Sequence, residues 1–307
     1  MYPHLFSEIR VGGLTLKNRL TMAPLYLGYA GTEGTVSDMV LDHYRHMAQS
    51  GVAMVVVENA TVDYAQGSGS ARTLRADTGD NLAGLQQLAQ VIRQEGALAA
   101  LQINHAGRFA FAAPEPLAPS AVETFGRVPK ALNREDITGI IEKYANSARL
   151  AKSAGFDLVE LHGGTGYLLA QFLSPRTNHR TDDYGATLEN RQRFALEVVS
   201  RVRDAVGDFP VGYRFLADEW LPDGLHLEES KPFAANLALA GVAYISVMGG
   251  TYESFALPEV VEKSNKPGYM LDLAAAIRSG VDVPVIAAGR LGYADVAEKA
   301  LAAGQAD

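Results

Sequence analysis

The chain alternates short, strongly apolar runs with longer segments of helical periodicity, and the alternation occurs seven times. The runs lie at 20–25, 53–59, 99–104, 158–162, 211–215, 243–247 and 285–288. Each is followed by Gly, Pro or polar residues, as expected of parallel strands buried on both faces. Helices are predicted between and after them, at 36–50, 81–95, 134–154, 188–206, 228–240, 271–279 and 294–302. In the fourth of these, Phe194, Leu196, Val198, Val199 and Val202 give a mainly buried face. Gly51, Gly96, Gly155 and Gly241 follow helical segments, where glycine ends a helix before the next strand. Successive strand–helix units of this kind predict an α/β fold of the TIM (β/α)8 barrel type rather than a doubly wound sheet.

A length of 307 residues suits such a barrel, and with no linker or low-complexity stretch the whole of 1–307 reads as one domain. Lys and Arg number 27 against 35 Asp and Glu, and the net charge of −8 argues against a nucleic-acid surface. No apolar stretch approaches the roughly 18–20 residues of a membrane span. Residues 1–10 lack the basic start and apolar run of a secretory signal. With no cysteine there is no disulfide frame and no thiolate chemistry. A cytoplasmic enzyme is the expectation, and a homo-oligomer is compatible with it.

Two features decorate the pattern. Residues 9–17 alternate around Gly12-Gly13 and predict a hairpin closing the barrel floor. Residues 105–133 carry Pro114, Pro116, Pro119 and Pro129 and predict a long loop on the side where barrels build active sites. An eighth strand is missing: it should begin near Gly304-Gln305-Ala306-Asp307, where the chain stops. A chain truncated at its C-terminus, or a strand supplied by another polypeptide, is the expectation.

The C-terminal ends of the strands hold the candidate chemistry. They present Ala23-Pro24-Leu25-Tyr26, Glu58-Asn59, Gln102 to His105, His162 to Tyr167, Arg214, Met248 to Tyr252 and Gly289-Arg290. No lysine lies there for a Schiff base, and no carboxylate cluster joins His105 and His162 to hold a metal. A polar, partly cationic set rich in Tyr and Gly suits a large planar anionic cofactor that carries the hard chemistry. Gly289-Arg290, read as the start of a helix, offers N–H groups and a cation to a phosphate.

Longer motifs narrow this further. Asn18-Arg19 through Pro24-Leu25, Gln102 through Arg108, Gly166-Tyr167 through Pro175, Asn178 through Gly185 and Leu188 through Phe194 occur in one fixed order. Over essentially its whole length the chain resembles the old yellow enzyme family of FMN-dependent NAD(P)H:flavin oxidoreductases. The Gly249-Gly250-Thr251-Tyr252 segment is similar to the branch containing 2,4-dienoyl-CoA reductase.

The resemblance implies FMN across the barrel mouth and NADH or NADPH as hydride donor. The substrate would be a small-molecule unsaturated carbonyl or thioester. Gln102 and Arg214 would meet the flavin pyrimidine edge. Ala23, Pro24 and Leu25 would lie along the ring, Asn59 and Gly250 near it, and Gly289 and Arg290 at the phosphate. Tyr26 would either stand near the flavin or, with Tyr252, wall the substrate pocket. Tyr167 would protonate the α-carbon, and His162 would polarise the carbonyl. Many relatives pair that histidine with a second His or Asn; here the partner position is Thr165, a weaker donor. Two alternatives stand beside this ene-reductase reading. One is oxidation of an amine, disfavoured by the lack of an evident aromatic cage; the other is an inactive barrel serving as a scaffold subunit.

Overall fold

In a computed structural model, which describes residues 2–307, the hairpin comes first. Strand β1 (Ile9–Val11) pairs antiparallel with β2 (Leu14–Leu16). Gly12 and Gly13 hold φ of +54° and +87°, the left-handed pair that a tight hairpin turn needs. A Cβ on Gly12 would come within 2.7 Å of the Ala243 Cβ, so glycine also lets the turn seat under the sheet.

The remaining strands are β3 (Thr21–Met22), β4 (Met54–Thr61), β5 (Leu98–Asn104), β6 (Leu117–Ala118), β7 (Lys130–Ala131), β8 (Leu158–Gly163), β9 (Val211–Asp218), β10 (Ile245–Gly249) and β11 (Val285–Ile286). A 7-stranded sheet runs β3-β4-β5-β8-β9-β10-β11, parallel throughout. Helices α1 (Asp38–Gln49), α2 (Tyr64–Gly67), α3 (Leu82–Gln94) and α4 (Arg134–Ser153) precede β8. They are followed by α5 (Leu168–Leu173), α6 (Leu188–Val206), α7 (Leu227–Leu239), α8 (Pro258–Ser264), α9 (Leu271–Arg278) and α10 (Ala294–Ala302). None of the helices is long and apolar enough to cross a membrane among the described residues.

Strand side chains alternate, so each strand serves two layers. Val55, Val57, Leu101, Ile103, Val159 and Leu161 pack in the main core with helical residues such as Tyr44, Leu88, Tyr144 and Val198. Met54, Val56, Ala100 and Leu158 form a second cluster with Val11 and Leu16 of the hairpin. The hairpin therefore closes the floor, as its sequence predicts.

Every predicted strand and helix is present, with differences at the ends. The first strand shrinks from 20–25 to Thr21–Met22. Pro24 has no N–H for a ladder, and the chain beyond it turns away, the Leu27 N–H donating to the Glu58 carboxylate at 2.5 Å. The seventh shrinks to Val285–Ile286, where the Asp307 carboxylate instead accepts from the Val285 N–H at 3.0 Å. Leu196 is only partly buried, while Phe194, Val198, Val199 and Val202 form the buried face of α6 as expected. Helix α5 escapes periodicity because all six of its residues are buried. Gly289-Arg290 does not open a helix: α10 begins at Ala294, and both residues sit in a loop with positive φ.

Candidate active site

Strand register assembles the site in two layers. In the lower one, Gln102 on β5 stands beside Glu160 on β8. One pleat nearer the mouth, His162 stands beside Arg214 on β9, and Arg214 beside Ser246 on β10. The Gln102 Nε2 donates to Glu160 at 2.7 Å, and the Arg214 guanidinium donates to the Ser246 Oγ at 2.7 Å.

His162 is buried, and the Gly164 N–H donates to its Nδ1 at 3.2 Å. Burial, then the neighbouring Arg214 charge, push its pKa down to about 3. The ring is neutral at pH 7, and because Nδ1 accepts, its proton sits on Nε2. That leaves one N–H available to a ligand oxygen. Thr165 adopts φ +58°, an uncommon conformation for a β-branched residue. Its hydroxyl donates to the Met248 sulfur at 3.5 Å, so in this arrangement the side chain expected to assist His162 is turned to another partner.

Tyr167 precedes α5 and is only 4% exposed, whereas Tyr252 is 39% exposed. Their hydroxyls lie 2.7 Å apart. Burial, followed by the adjacent Tyr252, raises the Tyr167 pKa well above the ordinary phenol value, and the Asn59 amide opposes part of the rise. Asn59 is itself buried, with its Oδ1 unpartnered. Tyr26, exposed after β3, is near enough to Tyr167 to oppose a second phenolate. His162 meets Tyr167 edge-on at 4.8 Å. Sequence therefore identified five residues, Tyr26, Asn59, His162, Tyr167 and Tyr252, that the fold brings together.

It did not reveal the aromatic wall around them. Phe109 packs edge-on against Tyr252 at 5.1 Å and Tyr167 at 6.4 Å, with Phe111 and Phe125 beyond and Phe255 beside Tyr252. These rings pack against one another although the sequence shows no evident aromatic cage. The rings come from separate loops, and nothing in linear spacing signals that they converge.

A cavity of about 430 Å³ is lined by Ala23, Pro24, Glu160, Arg214, Gly289 and Arg290 among others, and continues to the floor along β11. Leu25 lies exposed beside it on the segment after β3. Gly249 and Gly250 have a packing explanation: a Cβ would come within 2.5 Å of Trp220 at the first and of Phe255 at the second. Gly289 and Arg290, at φ +101° and +53°, present successive backbone groups from an open loop.

This set fits a planar anionic cofactor. A buried guanidinium, an unpartnered amide oxygen and exposed apolar residues along one edge are costly without a ligand to complete them.

The surrounding loops are pinned by groups the sequence marked only partly. Arg108, 2% exposed, forms an ion pair with Glu253, which also meets Arg176 at 3.3 Å. This bridge joins the loop after β5 to Tyr252's loop. His105 is buried, accepting from the Gly107 N–H at 3.1 Å. Arg127 donates to the carbonyls of Ala113 at 2.6 Å and Pro114 at 3.0 Å. Asn178 donates to those of Phe172 at 2.6 Å and Tyr184 at 2.7 Å, which ties down the segment after α5. Glu160 was missed altogether, although a lone carboxylate in an apolar strand is a visible anomaly.

Comparison with known proteins agrees with this geometry. The chain is 42% identical over 314 residues to an NADH oxidase of Thermoanaerobacter brockii, an alignment covering 100% of this chain and 48% of the relative. A 2-naphthoyl-CoA reductase in complex with 2-naphthoyl-CoA superposes with a TM-score of 0.94 at 31% identity, covering 100% of this chain and 49% of that one. Histamine dehydrogenase from Rhizobium sp. 4-9 superposes at 0.88 with 29% identity, covering 99% and 45%. The chain spans about half the length of each of these proteins. Residues 4–307 match the family described as NADH:flavin oxidoreductase / NADH oxidase, and the chain belongs to that family.

Proposed function

We propose that this chain is an FMN-binding barrel domain that takes hydride from NADH or NADPH and reduces an activated C=C bond in an enone or enoyl thioester. The observation that carries the reading is a neutral His162 with its proton on Nε2, in contact with the buried phenol of Tyr167 and paired in register with Arg214. A cytoplasmic setting suits a nicotinamide donor.

FMN, when bound, supplies the two-electron carrier between donor and alkene. Arg214 and Gln102 would hold its pyrimidine edge, Ala23, Pro24 and Leu25 its ring, and Gly289 with Arg290 its phosphate. A guanidinium at that edge favours the state that carries added negative charge. The His162 Nε2–H donates to the substrate carbonyl oxygen, where charge develops as the β-carbon gains hydride. Tyr167 gives its proton to the α-carbon; its raised pKa keeps that proton in place until then. Tyr252, hydrogen-bonded to it and open to solvent, is placed to restore the proton. Asn59 steadies the phenol, Tyr26 and Tyr252 form the pocket wall, and Gly250 keeps the turn beneath them clear. The aromatic wall excludes water and offers a flat apolar surface to an unsaturated substrate.

A second reading, amine oxidation, draws support from that same wall, since aromatic faces also attract cations, and from the likeness to histamine dehydrogenase. Purified protein separates the readings. A yellow preparation that releases FMN on denaturation, is bleached by NAD(P)H and regains colour with an enone supports the first. Bleaching by an amine supports the second. A colourless protein that takes up no FMN overturns both and favours a scaffold barrel.

A further inference from the structure

Glu160 is fully buried in the middle of a parallel strand. A carboxylate there costs several kcal/mol unless charge and hydrogen bonds compensate. Both of its oxygens accept: one from the Gln102 Nε2 at 2.7 Å, the other from the Tyr244 hydroxyl at 2.8 Å. Burial raises its pKa above the ordinary carboxylate value, and Arg214, in the layer above, leads the groups that oppose the rise, followed by the Tyr244 and Gln102 hydrogen bonds. Burial lowers the Arg214 pKa, and Glu160 in turn is the leading group that opposes the fall.

Two consequences follow. A carboxylate can only accept, so the Gln102 amide must turn its NH2 toward Glu160. Gln102 is 1% exposed, and its Oε1 makes no hydrogen bond among the described residues. When ionised, Glu160 also places a negative charge beneath the cation that faces the mouth, reducing the positive potential Arg214 presents there.

The geometry points to Glu160 as a positioning residue for the flavin pyrimidine edge: it presents the Gln102 carbonyl oxygen to an N–H of the ring and moderates the Arg214 charge. This rests on the FMN reading above. A pyrimidine edge carries one N–H between two carbonyls, so an amide acceptor beside a guanidinium donor matches it. With Glu160 absent, the amide is free to reverse and the guanidinium acts undiminished.

The test uses the full chain loaded with FMN, reading dissociation constant and midpoint potential. Glu160→Gln is expected to move the potential to more positive values, because a negative charge near the reducible ring is gone. It should also weaken FMN binding on the order of tenfold, the value of about one misdirected hydrogen bond. Glu160→Asp keeps the charge but withdraws from Gln102, so binding should weaken while the potential stays near wild type. A folded Glu160→Gln protein with the wild-type potential overturns the proposal. If neither variant folds, redox-difference infrared spectra of wild-type protein carrying ¹³C-labelled glutamate decide it. A shifted glutamate carboxylate band on reduction supports the role, and no glutamate band overturns it. Wild-type protein that takes up no FMN sinks the cofactor reading itself, which is a separate outcome.

Discussion

The Tyr167 and Tyr252 hydroxyls meet at 2.7 Å, one phenol enclosed and the other open to solvent. In the proposed reaction this pairing would separate the proton donor from its supply. Tyr167→Phe should leave bleaching by NAD(P)H nearly intact and slow recolouring by an enone about 10²–10⁴-fold, the usual contribution of a positioned general acid. Tyr252→Phe should slow recolouring less. Stopped-flow absorbance follows both phases; recolouring of Tyr167→Phe at the wild-type rate would assign the proton to another group.

The histidines give the protein an acid-side weakness. His162 and His105 have folded pKa values lowered to about 3 and about 4 by burial, below the roughly 6.5 of free imidazole. The unfolded chain therefore binds protons that the folded chain does not. The stability they contribute is complete above about pH 6.5 and is lost as pH falls toward those values. Glu58 acts in the opposite sense, since burial raises its pKa to about 7 and its contribution fades as pH rises. The comparison of wild type with His162→Asn isolates one histidine. Between pH 6 and 4 the wild type should lose up to about 1.4 kcal/mol per pH unit more than the variant in urea denaturation. Parallel pH profiles would show that His162 is already charged in the folded protein.

Arg108 depends on Glu253. Glu253→Ala strands a buried guanidinium and should cost about 3–5 kcal/mol of stability. Arg108→Met removes the charge as well and should cost less. Thermal melts of the two variants check the order, and the reverse order would place the stabilisation elsewhere in the Arg176–Asp223 chain.

Arg214→Met should lower the midpoint potential of bound FMN and weaken its binding, because the cation facing the pyrimidine edge is lost. Photometric redox titration measures the first and fluorescence quenching the second. A folded variant unchanged in both would remove Arg214 from the site.

Thr165→Asn should be stabilising by about 1 kcal/mol, since asparagine accepts left-handed backbone more readily than a β-branched residue. It should also raise turnover of simple enones if carbonyl polarisation limits them. Denaturation midpoints and steady-state rates give independent readings, and slower turnover in a more stable variant would mean that Thr165's contact with Met248 matters to the reaction.

The strand–helix order was legible because each strand is a short apolar block and each helix a longer periodic one. The site was legible where motif and strand end coincide, as at His162, Tyr167 and Arg214. It was illegible where contacts join distant loops: Phe109 and Tyr252 are separated by much of the chain and meet only through the fold. Gly289-Arg290 was misplaced for a local reason. A glycine followed by a polar residue resembles a helix start, but positive φ at both positions delays the helix to Ala294. Thr165 shows a further limit, since residue type names a donor but backbone conformation decides where it points.

The carbonyls held by Arg127 and the Arg108–Glu253 bridge fix the loops at the mouth, while the Phe111 and Phe125 rings remain 47% and 60% exposed. The exposed rings thus stand on loops that are tied down at several points. Ring and rotamer motion at a surface takes picoseconds to nanoseconds, whereas lid opening takes microseconds to milliseconds. Rearrangement at this mouth is therefore expected of its side chains on the faster timescale, while the tethered loops keep their positions.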